Sequence, residues 1–221
     1  MYKKDSIYVV LCVIFSVFIV LGNLIFQKFV VLNISSLFSF ELSVGTILFP
    51  ITFLLTDLIA EFYGKEKATF CVRLAILMNV MVALIILGMD ALDATSWSKV
   101  NNVIFHNVFG VYSIAFIGSM IACYISQAID IKIFLWIRKV TKGEWLWARN
   151  MGSTTVSLFI DTLIVNCFLT IFQIIPNEKT FLLVMNSYMF KFFFSVFSIP
   201  LFYLAVRMIK SLQNPENVMR M

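Results

Sequence analysis

The sequence predicts an all-α integral membrane protein, a single membrane domain (residues 1–221) built as a six-transmembrane-helix bundle. Three observations carry that reading: an apolar composition, six apolar stretches of spanning length, and basic residues gathered on alternate loops. Of the 221 residues, 61% are hydrophobic and 13% charged, and the mean hydropathy is +0.96. A soluble domain is closer to about half apolar and a quarter charged, and in water this chain would expose apolar surface too extensive to stay dispersed. The formal net charge of +5 would point to nucleic acid in a soluble protein. Here the basic residues sit in loops on one side, as membrane topology requires, so the expected partner is the lipid bilayer and not nucleic acid.

A span needs about 20 mainly apolar residues. The candidates lie near 7–26, 42–62, 68–88, 108–136, 152–175 and 181–207, which leaves no room for a soluble domain. The first follows Lys3 and Lys4 but is too long for a signal-peptide core and has no A-x-A site, so it reads as a retained span. The second and third are joined by Gly64-Lys65-Glu66-Lys67, a turn tight enough to make them antiparallel neighbours. The next connection, 89–107, is polar, with Asp90, Asp93, Ser96, Lys99 and three asparagines. The long fourth and sixth candidates imply tilt or extension beyond the bilayer. The basic connection at 138–151 carries Trp145 and Trp147, which suit the membrane interface.

Orientation follows from lysine and arginine. With the N-terminus inside, the cytoplasmic set is Lys3, Lys4, Lys65, Lys67, Arg138, Lys139, Lys142, Arg149, Arg207, Lys210 and Arg220. The outer set is Lys28, Lys99 and Lys179. An even number of spans places the C-terminus in the cytoplasm as well. The cysteines, Cys12, Cys71, Cys123 and Cys167, all fall in apolar stretches. None forms a C-x-x-C pair or a zinc-like spacing with the lone His106. They read as packing residues and His106 as a solvated loop residue; no metal and no cofactor is expected.

Polar groups at membrane depth carry the functional signal: Glu41, Asp57, Glu61, Arg73, Gln127, Asp130, Asp161, Asn166, Asn186 and Lys191. Each Asp, Lys or Arg at mid-span costs roughly 2.5–3.5 kcal/mol. Several facing lipid would cost on the order of 10 kcal/mol, comparable to the stability of a whole domain. They must face the protein interior or a watery cavity. Asp57 and Glu61, four residues apart, share a helix face and repel one another unless a cation intervenes; Arg73, just across the turn, is the expected counter-ion. That group reads either as a structural ion-pair cluster or as a substrate or proton site. The fourth span carries a polar stripe of Ser119, Cys123, Ser126 or Gln127, and Asp130. The fifth carries Thr154, Ser157 and Asp161, with Asn166 somewhat off that face. The hydroxyl residues read as helix-packing contacts, and Gln127, Asp130 and Asp161 as the lining of a cavity. Lys191 either snorkels or pairs with a carboxylate, and the phenylalanines at 192–194 read as lipid-facing bulk.

Four blocks occur in order: FPITFLLTDLIAEFYGK at 49–65, YISQAID at 124–130, WARNMGST at 147–154 and FIDT at 159–162. Together they resemble the signature of the queuosine precursor transporter family, also called the vitamin uptake transporter family. The resemblance implies a protein of the bacterial inner membrane that takes up 7-deazaguanine bases. It also implies a bundle like the substrate-binding subunits of energy-coupling-factor transporters, a fold-level analogy. Such a base presents N1–H beside an exocyclic amino group, and one carboxylate accepts both. On this reading the substrate-binding residues are Gln127, Asp130, Asn150 and Asp161. Gln127, Asn150 or Arg149 supplies a donor to O6, and Phe53, Tyr124 or Phe159 stacks on the ring. Asp57, Glu61, Arg73 and Arg149 form the inner charge cluster, which stabilises that end or moves a proton.

The rival readings are an intramembrane aspartyl-type protease and a carrier of another small vitamin-like molecule. Neither Asp57 nor Asp161 lies in a Gly-x-Gly-Asp context, and H-E-x-x-H and G-x-S-x-G are absent, so no enzyme is expected. There is no G-x-x-x-x-G-K-[ST] loop for ATP. In the first span Gly22 and Ser16 stand apart instead of forming a docking seam. That favours a stand-alone carrier, with transporter partner subunits and the identity of the precursor left open.

Overall fold

A computed structural model describes residues 2–35, 38–110 and 112–213; Arg220 lies outside them. The chain forms α1 (Tyr2–Ile25), a hairpin of β1 (Phe29–Ser35) and β2 (Phe38–Ser43), then α2 (Phe49–Asp90), the single-turn α3 (Asn102–Phe105), α4 (Tyr112–Val140), α5 (Leu146–Ile171) and α6 (Asn177–Gln213). Among the described residues five segments are long and apolar enough to cross a membrane, and apart from the hairpin these residues form an all-α membrane protein. In α1, Tyr8, Leu11, Cys12, Phe15 and Ile19 are buried. Those steps of three and four residues define one inward face. Val9, Val10, Val13 and Val17 are exposed on the other, the side left to lipid.

The segment containing α2 is 47 residues long, far more than one crossing needs, and it folds back on itself. Gly64 has φ 80° and ψ −179°, a region open only to glycine. Phe49 packs on Gly22 and Tyr63 on Tyr8, so the first half runs antiparallel to α1. Tyr8 then donates to the Lys67 carbonyl and Asn23 to Asn79, so the second half runs parallel to α1. The reversal coincides with the Gly64–Lys67 turn read from the sequence.

The hairpin is the main departure from expectation. Leu42 and Ser43, assigned above to the start of a span, belong to β2. Val44–Ile47 forms a 3-10 turn, and the helix starts only at Phe49, with Pro50 in its first turn, where a missing N–H is harmless. Phe40 and Leu42 are buried against Phe190, and Glu41 between them faces outward to pair with Lys179 at 2.8 Å. That alternation with a period of two is the strand pattern. Gly45 lets the hairpin seat against α1, because a Cβ there would collide with the Gly22 carbonyl. α5 begins at Leu146, earlier than expected, so Arg149 and Asn150 are helical and buried.

His106 is also not a plain loop residue. It opens a π-helical turn at His106–Gly110 and pairs with Asp90 at 2.7 Å while remaining solvent-exposed. Cys12, Cys71 and Cys123 are buried as packing residues, but Cys167 is exposed, since it lies off the α5 face that carries Asn166. Phe192, Phe193 and Phe194 are half-buried, and the last two pack against the hairpin cluster of Phe40 and Leu42.

Candidate functional site

A column of polar side chains runs through the bundle between α2, α4 and α5. It has three layers. The first closes the end that carries the Gly64 turn. Arg149 donates to Glu61 at 2.9 Å with both side chains largely buried, and to the Gly143 carbonyl at 3.1 Å. Its guanidinium lies 5.6 Å from the centre of the Phe134 ring. Arg138 binds the Glu61 backbone carbonyl at 3.0 Å and lies 3.8 Å from the Glu61 carboxylate. The arginine partners of Glu61 therefore come from α4 and α5, not from Arg73. Arg73 is exposed because the inward face of that half-helix is set by Cys71, Val72, Ala75 and Asn79.

The middle layer contains Asp57, Asp130 and Asn150, all buried. The Asn150 amide donates to Asp57. Asp130 stands beside Asp57, Ser153 and Ser157. Next to this layer, Thr56 donates to the Gln127 carbonyl oxygen at 2.7 Å, and the Gln127 amide reaches Thr52 at 3.4 Å. Gln127 thus ties α4 to α2, and both of its polar atoms are occupied.

The third layer borders a cavity of about 50 Å³ between the hairpin, α1, α2, α4, α5 and α6. Asp161 and Lys191 form an ion pair at 2.8 Å with side chains 1% and 5% exposed. Lys191 also donates to Thr162 at 3.0 Å and lies 5.4 Å from the centre of the Phe49 ring. Ser126 reaches Asp161 at 3.4 Å. Asn166 and Ser187 add polar wall, and Phe26, Phe49 and Phe116 add apolar wall. Ser119 donates to Asn23 at 2.5 Å, and Asn23 to Asn79 at 3.3 Å, which links α4, α1 and α2 at the cavity rim.

The structure divides the residues singled out above. Asp161 is at the cavity, Gln127 lies between cavity and middle layer, and Asp130 and Asn150 join Asp57 deeper in. Asn166 is buried and lines the cavity despite its apparent offset. Of the three aromatics suggested for stacking, Phe53 is buried, whereas Tyr124 and Phe159 are exposed, because each falls off the polar face of its own helix. Asn23 and Asn79 were missed, although an asparagine inside an otherwise apolar span is itself the signal.

A multi-pass helical bundle that buries charged groups around an internal cavity has the build of a small-solute carrier. Residues 43–205 match the family described as "Putative vitamin uptake transporter", and the chain belongs to that family. It is similar to a "Probable queuosine precursor transporter" of Bacillus subtilis (strain 168), 28% identical over 174 residues that cover 78% of this chain and 75% of the relative. No solved structure matches.

Proposed function

We infer that this chain carries queuosine precursors, 7-deazaguanine bases, across the bacterial inner membrane. It crosses six times, the two halves of α2 counting separately, with both termini in the cytoplasm. The observation that carries the substrate reading is the cavity at Asp161. It sets a carboxylate, an ammonium and phenylalanine rings around one small space. A carboxylate accepts the paired N–H donors of the base, Lys191 donates to its O6, and Phe49 or Phe116 covers its face. A base whose polar edge finds no partner loses roughly 1–3 kcal/mol per unmet group, which supplies selectivity. At about 50 Å³ the cavity holds a few waters and is too small for a bicyclic base, so admission requires its wall to open. Gln127 acts from behind this site, and the Glu61–Arg149–Arg138 clasp seals the cytoplasmic end.

The test is uptake in a bacterium that cannot make queuosine and lacks its own importer. This chain is expressed alone, each precursor is supplied at low concentration, and queuosine is scored in tRNA. One precursor is expected to restore the modification, and Asp161→Ala to abolish it with the protein still in the membrane. Normal uptake by that variant would refute the role of Asp161. No restoration by any precursor would favour another vitamin-like cargo, the second reading that the family description supports.

A further inference from the structure

Asp57 on α2 and Asp130 on α4 are both fully buried and lie within hydrogen-bond reach of one another. Neither pairs with a cation among the described residues. An ionised carboxylate carries no hydrogen, so a hydrogen bond between two carboxyl groups needs one proton between them. Two negative charges at that range, out of water, do not both persist. The rest of the layer leaves that proton its place. The Asn150 amide donates to Oδ2 of Asp57, and Oδ1 is left open. The Thr154 hydroxyl neighbours Asp57 and offers one further donor. Ser153 and Ser157 border Asp130, but each donates into α5, to the Asn150 carbonyl at 3.3 Å and the Ser153 carbonyl at 2.8 Å. Among the described residues no other donor is directed at either oxygen of Asp130.

Charge gives a second count. Toward the cavity, Asp161 and Lys191 cancel each other. Toward the other end, α2 presents Glu61, α4 Arg138 and α5 Arg149, and these three bind one another. From α6, Tyr203 lies near Arg149. The buried titratable groups of α1 are turned elsewhere: Tyr8 donates to the Lys67 carbonyl, and Cys12 meets Cys71. Three carboxylates, Asp57, Glu61 and Asp130, therefore stand against two guanidiniums. One proton makes the column neutral, the same number that the contact between the two carboxyls requires.

We propose that Asp57 and Asp130 share one exchangeable proton, and that this proton, entering with the substrate, drives uptake. The coupling half of the proposal rests on the transport reading above; the shared proton does not. The dyad lies between the Glu61 clasp and the Asp161 cavity. The helices that carry it, with α5, also supply the clasp and the Phe49, Phe116 and Asp161 side chains of the cavity wall. With the proton in place, α2 and α4 are bridged. When the clasp opens and water enters, the proton passes from a carboxyl oxygen to water. The two carboxylates left behind repel one another and hold α2 and α4 apart until a proton returns. Proton and substrate thus favour one arrangement of these helices, and each raises the other's affinity.

The experiment begins without substrate. Purified full-length protein and its Asp130→Asn variant are melted between about pH 5.5 and 7.5, where aspartates of the unfolded chain are ionised. The folded dyad keeps a proton that unfolding releases, so its contribution to stability falls as pH rises. The variant replaces the shared proton by an amide donor and loses that dependence. The melting temperature of the parent is therefore expected to fall more steeply than that of the variant, by about 3–5 °C per pH unit. Equal pH dependence would overturn the shared proton, whatever the protein carries. If Asp130→Asn does not fold, the parent alone is read by infrared spectroscopy at neutral pH. The carbonyl stretch of a protonated carboxylic acid is expected there, and its absence would overturn the site. Uptake into proteoliposomes is then measured with and without an inward proton gradient. The gradient is expected to raise uptake several-fold in the parent and not in Asp130→Asn. A shared proton with uptake that ignores the proton gradient would overturn the coupling. A shared proton with no uptake of any precursor would support the site and remove the substrate reading instead.

Discussion

Replacing Lys191 with methionine isolates the contribution of the cavity ion pair. Methionine keeps the length and the apolar stem, so packing against Phe49 is nearly conserved. The change removes the 2.8 Å bond to Asp161 and the 3.0 Å bond to Thr162. Asp161, 1% exposed, is left with Ser126 at 3.4 Å as its remaining partner. Breaking a buried ion pair on one side typically costs about 3–5 kcal/mol. The adjoining cavity admits water to the stranded carboxylate, which places the expected loss near the lower limit, about 3 kcal/mol. For a chain of this size that is a fall in melting temperature of about 6–12 °C, measurable by thermal unfolding of the purified protein in detergent. The double variant Asp161→Asn with Lys191→Met removes both charges and is expected to recover about 2 kcal/mol of the loss, while uptake stays abolished in the single and double variants alike. A single variant melting within about 1 °C of the parent would refute a desolvated pair. So would a double variant whose loss equals the sum of the two single losses.

Gly64→Ala forces a side chain onto a backbone at φ 80° and is expected to lower stability by about 1–3 kcal/mol, read as a reduced melting temperature. Asn23→Leu removes the acceptor of Ser119 and the donor to Asn79; a loss of about 1–3 kcal/mol is expected, and an unchanged melting curve would show that the rim triad is not satisfied as described. Glu41→Ala, by contrast, breaks a pair whose side chains are 49% and 32% exposed and is expected to change stability by no more than about 1 kcal/mol. Because the hairpin is a two-stranded sheet that meets α6 through this weak pair and one small apolar cluster, its amides are expected to exchange with solvent deuterium faster than those of α4 and α5. Slower exchange there would contradict the ranking.

Hydropathy and helical spacing made much of this protein legible. The stripe from Ser119 to Asp130 and the stripe from Thr154 to Asp161 are buried faces of α4 and α5, because burying polar groups in a bilayer leaves a periodic mark on the sequence. The turn at Gly64 is legible for the same reason, since a glycine among charges inside an apolar run marks a reversal. The hairpin was lost because Phe40, Glu41 and Leu42 adjoin an apolar run, and a short alternating stretch beside a span reads as its beginning. Pairing between helices was lost for a different reason. Periodicity fixes which residues share a face of one helix but not which helix that face meets or how far one slides along another. Arg73 was matched to Glu61 by closeness along the chain, whereas Arg149, 88 positions away, makes the bond. For Lys191 the sequence leaves snorkelling and pairing with a carboxylate both open, and only its meeting with Asp161 across α5 and α6 decides for the pair. Asp57 and Asp130 are instead buried side by side, with the Asn150 amide donating to Asp57. Each of these acidic residues is visible in the sequence, but which of them meets a cation and which meets an amide follows only from the helices packed against it.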